Sequence, residues 1–228
     1  ASSVWATPSA CTRYYVAESE QGVFSMIFDR RDAISKLASM KNVVLEFGCG
    51  PNKVNPEAIA IDSLDFPCVD IVGDAVEVLR AFPNVSVAKI TSSHFLEHLS
   101  DLRLFLEESQ RVLRNGGVFE AIVPHFSNPY YYSDPTHKTP FGLYTFSYLT
   151  NDRMFKRRVP AYGSRLSLEL VYCHLIFRSF SKRTVRHWVK QIFSLVFNAS
   201  IYLKEFYEEN LCFILPCYEI HVLLKKTS

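Results

Sequence analysis

From residue 43 onward, short apolar runs alternate with stretches of helical or turn-like pattern. Residues 43–47 are continuously apolar except for Glu46 and read as a buried strand. Further short runs at 58–61, 69–72 and 85–91 read as three more strands, ending at Asp62, at Gly73-Asp74 and at Ser92-Ser93-His94. A helix follows. Ser100 or Asp101 caps it, Leu102, Phe105, Leu106, Val112 and Leu113 form its apolar stripe, and Asn115-Gly116-Gly117 stops it. Residues 118–123 make a fifth strand closed by Pro124, 168–177 a sixth and 218–224 a last one. Residues 184–210 form a long helical stretch. The first seventeen residues have no period and read as an irregular arm. Val23, Phe24, Ile27, Ile34 and Leu37 fit one or two helices over 21–40. Strands alternating with helices imply an α/β fold with a doubly wound, mostly parallel sheet. No repeat or linker interrupts the chain, so it reads as one domain: an arm and helix (1–40), a site-bearing half (43–124) and a decorated C-terminal half (125–228).

Composition changes little in this picture. With 48% hydrophobic and 21% charged residues the chain is expected to fold, not to be disordered. Charge adds more. Between Arg153 and Lys190 lie ten Lys or Arg residues and one acid, Glu169, which points to an anionic partner. The six cysteines contain no C-x-x-C pair, so a zinc knuckle is not expected, and scattered thiols suit a reducing cytoplasm. The N-terminus has no leader-like pattern and no run is long enough to span a membrane. A cytoplasmic protein, with peripheral membrane contact as an option, is the expectation.

Candidate chemistry gathers at the strand ends, where open parallel sheets bind ligands. Glu46, Phe47, Gly48, Cys49, Gly50, Asp62, Ser63, Asp74, Ala75, Ser92 and His94 all fall there. The glycines resemble a phosphate loop, but the third glycine is missing and too few residues precede the next strand for a crossover helix. A carboxylate at Glu46 would also repel a phosphate. A cationic ligand without phosphate fits better. Asp62 can accept from ribose hydroxyls and Asp74 from an adenine amino group.

The ordered series VVLEFGCGPN, AIAIDS, VGDA, SSHFLEHL and RVLRNGGVFEAIVP, over residues 43–124, resembles class I S-adenosylmethionine (SAM)-dependent methyltransferases, in their type 11 variant. That resemblance implies a Rossmann-like, seven-stranded sheet with helices on both faces and an antiparallel last strand. It also implies SAM as cofactor, with residues 46–50 facing its methionine part. The stretches SNPYYYSDPTHKTPFG and LPCYEIHVLL are similar to a subgroup associated with bacterial surface-polysaccharide biosynthesis. A sugar or phosphate-linked polysaccharide precursor is therefore the expected acceptor, methylated on oxygen. A lipid or quinone acceptor at a membrane and a non-catalytic SAM-binding scaffold are the alternatives.

A hydroxyl acceptor needs a base. His137, His98 and His94 are the candidates; His125 is also near, and Asp134 stands three residues before His137. Tyr130, Tyr131 and Tyr132 are candidates to line an acceptor pocket, and Arg157, Arg158 and Arg165 to meet an anionic acceptor. His94 to His98 has the H-x-x-E-H spacing of zinc proteases, but that motif needs one helix and His94 ends a strand. Glu97 and His98 match a pair that quinone-pathway O-methyltransferases use for magnesium, yet the upstream acids are absent and no metal is assigned. The Asn/Asp-Pro-Pro-aromatic signature of base-amine methyltransferases is absent after the fourth strand, so nucleic acid is not expected as a partner. The long helix could dock on the sheet, rest on a membrane or pair with a second copy.

Overall fold

The computed structural model describes residues 13–18, 24–37, 40–179 and 185–227. The first twelve residues of the expected arm, and Lys182 and Arg183 before the long helix, lie outside them.

In chain order the elements are β1 (Arg13–Glu18), β2 (Phe24–Asp29), α1 (Ala33–Lys36), β3 (Val44–Phe47), β4 (Ile59–Asp62), β5 (Ile71–Val72), α2 (Ala75–Ala81), β6 (Val87–Ser93), α3 (Leu102–Val112), β7 (Leu113–Pro124), β8 (Asn151–Asp152), β9 (Leu168–Ile176), α4 (Val185–Asn198), α5 (Ile201–Asn210) and β10 (Glu219–Lys226). They form one sheet of ten strands in the order β1-β2-β5-β4-β3-β6-β7-β10-β9-β8. Strands β5, β4, β3, β6 and β7 are mutually parallel, and β10 runs antiparallel between β7 and β9. Seven of these strands match the expected sheet, including its antiparallel last member. The other three, β1, β2 and β8, extend its edges.

The N-terminal reading needs correction. Residues 24–29 are a strand, not a helix, and β1 occupies part of the expected irregular arm. The spacing of Phe24 and Ile27 suits a helix and falls on opposite faces of a strand, so the local pattern misleads and pairing decides. Strand β2 bonds on one side to β1 and on the other to β5, both antiparallel. Buried Asp29 then ends the strand and starts α1, its carboxylate accepting from the N–H groups of Ala33 and Ile34 at 3.0 and 2.9 Å. The expected long helical stretch is also two helices, α4 and α5, not one; Ser200 breaks the run and caps α5, accepting from Leu203 N–H.

The β3–β4 crossover, 48–58, has no helix, as its length predicts, and neither has 63–70 between β4 and β5. Where this fold class sets helices over that face of the sheet, the crossovers here are loops. Helices α2 and α3 pack on each other, and Phe105, Leu106 and Val112 join Phe119, Ala121 and Val123 of β7 in the core. Helix α2 follows β5 directly: Asp74 caps it, accepting from Val76 and Glu77 N–H at 2.9 and 3.2 Å. Asp101 caps α3 as expected. Among the described residues no helix is long and apolar enough to cross a membrane.

Candidate active site

Strand order reverses between β3 and β6, so a crevice opens between their carboxyl ends. Two cavities lie there. One, of about 440 Å³, is lined by Glu46, Phe47, Gly48, Cys49, Ser92 and Ser93, with Lys89 and Glu120 deeper on the sheet. The other, of about 170 Å³, is lined by Phe47, Asp62, Ser63, Asp74, Ala75, Phe95 and His98. Of the residues expected to hold a cofactor, only Gly50 and His94 line neither.

The glycine loop is fastened by carboxylates. Glu46 is buried and accepts from Val54 and Asn55 N–H at 2.8 and 2.9 Å, so it anchors the loop. Asp62 accepts from Gly50 N–H with one oxygen and from Leu64 N–H with the other, each at 2.9 Å. Gly48 and Gly50 have φ of +66° and +56°, the left-handed region that suits glycine. At Gly48 the approach is also close: a Cβ there would lie 2.7 Å from Cβ of Phe95. Cys49 is not a nucleophile; burial, with Cys68 and Asp62 nearby, pushes its thiol up to about 12.

Beyond the tip of β6 a histidine–carboxylate cluster assembles. His94 takes an uncommon φ of +52°. Its Nε2 is 2.7 Å from buried Glu219, and its Nδ1 is 3.4 Å from Glu97. The bond to Glu219 and the contact with Glu97 raise its pKa to about 9, so it is an imidazolium at neutral pH. Glu97 is fully buried, and neither of its oxygens has a hydrogen bond. Across from it, His137 Nε2 lies 4.0 Å from Glu97 and 3.7 Å from Asp134. His137 Nδ1 donates to the Tyr131 carbonyl at 2.8 Å, so Nε2 is the nitrogen that faces the carboxylates. His98 stands beside it, ring centroids 4.9 Å apart, with Nδ1 2.9 Å from Thr136 Oγ1.

The segment 127–142 leaves β7 at the cofactor end, and Lys138 and Thr139 N–H bond the Glu97 carbonyl. The three tyrosines divide. Tyr131 is buried and stacks on His137, whereas Tyr130 and Tyr132 are exposed. His125 is fully buried beside Ser127 and Glu208, a structural position.

Two of the three arginines are placed otherwise than expected. Arg158 bonds the Asp152 carbonyl, and Arg165 the carbonyls of Thr150 and Val159. They staple the chain on either side of the short edge strand β8 through backbone carbonyls. Arg157 lies against Tyr144 and borders an open groove of about 690 Å³ with Tyr132, Thr139, Tyr144 and Tyr148. Sequence reading missed Glu219 and its neighbour Arg178, whose guanidinium contacts Glu219 and covers the Tyr218 ring. The available signal was the single acid of the final strand, at its head.

The donor set fits SAM: carboxylates and backbone groups, with no cation in the smaller cavity and only Lys89, paired with Glu120, in the larger. Comparison with known proteins agrees. Residues 51–121 match a family model described as a methyltransferase domain. The chain superposes on a SAM-dependent methyltransferase from Archaeoglobus fulgidus with a TM-score of 0.53 and 16% identity, covering 85% of this chain and 93% of that one. A putative methyltransferase from Bacillus halodurans C-125 gives 0.50 and 17%, covering 86% and 99%. No curated protein matches the chain in sequence. Fold, enzyme class and cofactor are those of a SAM-dependent methyltransferase.

Proposed function

We propose that this SAM-dependent methyltransferase methylates a hydroxyl of a sugar or phosphate-linked polysaccharide precursor. SAM supplies a methyl carbon activated by a sulfonium. Phe47, Gly48, Cys49 and Ser92 take its methionine end, on a loop that Glu46 and Gly50 shape; Asp62, Ser63, Asp74 and Ala75 take its adenosine. The observation that carries the acceptor reading is the position of His137. Its Nε2 faces buried Glu97 where His98, which lines the cofactor cavity, meets the loop leading to the tyrosine groove. A hydroxyl placed there gives its proton to Nε2, and the nearby carboxylates Glu97 and Asp134 stabilise the imidazolium that forms. His98 orients the same hydroxyl. Tyr132, Tyr144 and Tyr148 offer ring faces to a sugar, and Arg157 offers a cation to a phosphate. Tyr130 widens the wall, and Tyr131 holds the base.

A second reading concerns the proton alone. Ligand atoms of Glu97, His98 and His137 lie within 4.8 Å of one another, and both Glu97 oxygens lack hydrogen bonds. Such a set suits a divalent ion that would lower the pKa of the hydroxyl in place of an imidazole base. Release of S-adenosylhomocysteine, measured across sugar nucleotides, glycan fragments, lipids and quinols, tests the main reading. A sugar-nucleotide or glycan hit supports it, and turnover on quinols or lipids alone refutes it. SAM binding without turnover on any of them favours the scaffold alternative. If chelation abolishes turnover and a divalent ion restores it, the second reading replaces the base.

A further inference from the structure

Helix α4 is turned the wrong way round for a helix that only closes a core. Its polar side chains face the protein: Lys190 donates to the Arg178 carbonyl, Gln191 to that of Phe177, and Ser194 and Asn198 to that of Leu175. Phe193 and Phe197, one turn apart, pack beside them against Phe177. The outer side is apolar. Val185, Trp188, Ile192 and Leu195 follow at helical spacing and are 80%, 67%, 57% and 76% exposed. Val189 and Val196 flank them, and Ile214 continues the surface across a shallow cavity shared with Val185 and Val189.

We propose that this face rests on an anionic lipid bilayer. An apolar stripe that includes Trp188, on a helix lying along the protein surface, matches an interfacial helix. The charge around it selects the partner. From residue 170 to 204 the sequence holds no acid; of its six Lys or Arg residues Lys204 is buried, and Arg186, exposed, and Lys190, half-buried, lie on α4 itself. A two-fold pairing of two such helices would set like charges together, whereas anionic headgroups neutralise them. The docking face also begins at the site. Strand β9 runs parallel to β7, so α4 is entered from the cofactor end of the sheet, through Arg178, which contacts the Glu219 that holds His94. This deepens the proposed function: the acceptor cleft opens at the membrane surface, toward a glycan carried on a lipid.

The test is co-sedimentation of the full chain with vesicles of phosphatidylglycerol and phosphatidylcholine, compared with phosphatidylcholine alone. The native protein should pellet with the anionic vesicles, less at high salt, and stay in solution with neutral ones. Trp188→Glu with Leu195→Glu should reduce pelleting at least about tenfold, and Arg186→Gln with Lys190→Gln should weaken it while leaving the apolar stripe intact. Calorimetric SAM binding, unchanged in both variants, shows that they are folded and keeps this result separate from the methyltransferase reading. Native protein that stays in solution with anionic vesicles overturns the proposal. So does equal pelleting of every variant, or a native dimer by light scattering that Leu195→Glu converts to monomer.

Discussion

Alanine at Gly48 and at Gly50 should have very different consequences, although both glycines have positive φ. At Gly50 a Cβ meets nothing within 4 Å, so the effect is conformational and amounts to about 1 kcal/mol. At Gly48 the same strain is joined by a collision, with Cβ, Cδ2 and Cγ of Phe95 at 2.7, 2.9 and 3.0 Å. That ring cannot step aside, because it stacks on Phe47 at 5.8 Å and meets Phe105 edge-on at 5.5 Å. Overpacking of this kind adds about 1–3 kcal/mol, for a total of roughly 2–4. For a chain of this length each kcal/mol lowers the melting temperature by about 2–4 °C. Gly50→Ala should therefore melt a few degrees below native. Gly48→Ala should melt about 5–15 °C below it and bind SAM more weakly, because Phe47, Gly48 and Phe95 wall the cofactor cavities. Thermal melts with and without SAM, together with calorimetry, read both quantities. Equal melting temperatures for the two variants, or a Gly48→Ala protein with native SAM affinity, would refute the reasoning.

Three further outcomes follow from the site. Asp62→Ala removes the acceptor of the Gly50 and Leu64 N–H groups as well as the proposed ribose contact, and should weaken SAM binding by about 1–3 kcal/mol in calorimetry; native affinity would remove Asp62 from the site. His137→Ala should lower turnover by about a hundredfold or more while SAM still binds, and full turnover would place the base elsewhere. The His94 ring should titrate near pH 9 by NMR, and Glu219→Gln should bring it down toward the ordinary value. Because its folded pKa lies above the unfolded value of about 6.5, the stability it contributes is complete below that pH and disappears as pH rises through 9, so the native-minus-Glu219→Gln difference in melting temperature should shrink on that rise.

The parallel core was legible because its strands are buried on the sheet and read as apolar runs, unbroken at 58–61 and broken only by Glu46 at 43–47. The edges were not. The spacing of Phe24 and Ile27 is that of a helix, and only pairing with β1 and β5 makes residues 24–29 a strand. Helix α2 spans two turns, too short for a period to show, although Asp74 at its start was picked out for another reason. The glycine loop and Asp62 were legible because a positive φ and an acid at a strand end leave a signature in residue type. The cluster around Glu97 was only half legible. His98 is its neighbour in sequence, but His137 and Glu219 arrive from 40 and 122 positions away, and no local pattern records that meeting. The three arginines illustrate the converse. A basic run looked like a ligand site, whereas two of its members satisfy backbone carbonyls of their own loop.

The central claim is methyl transfer from SAM to an acceptor hydroxyl. It is tested most directly by incubating the protein with SAM labelled with carbon-13 in the methyl group and with the sugar and glycan acceptors, then reading the product by NMR. The account predicts a labelled methyl ether on a sugar carbon, formed together with S-adenosylhomocysteine and diminished in His137→Ala. A labelled methyl on nitrogen or carbon, or transfer only to a quinol or a lipid headgroup, would contradict it.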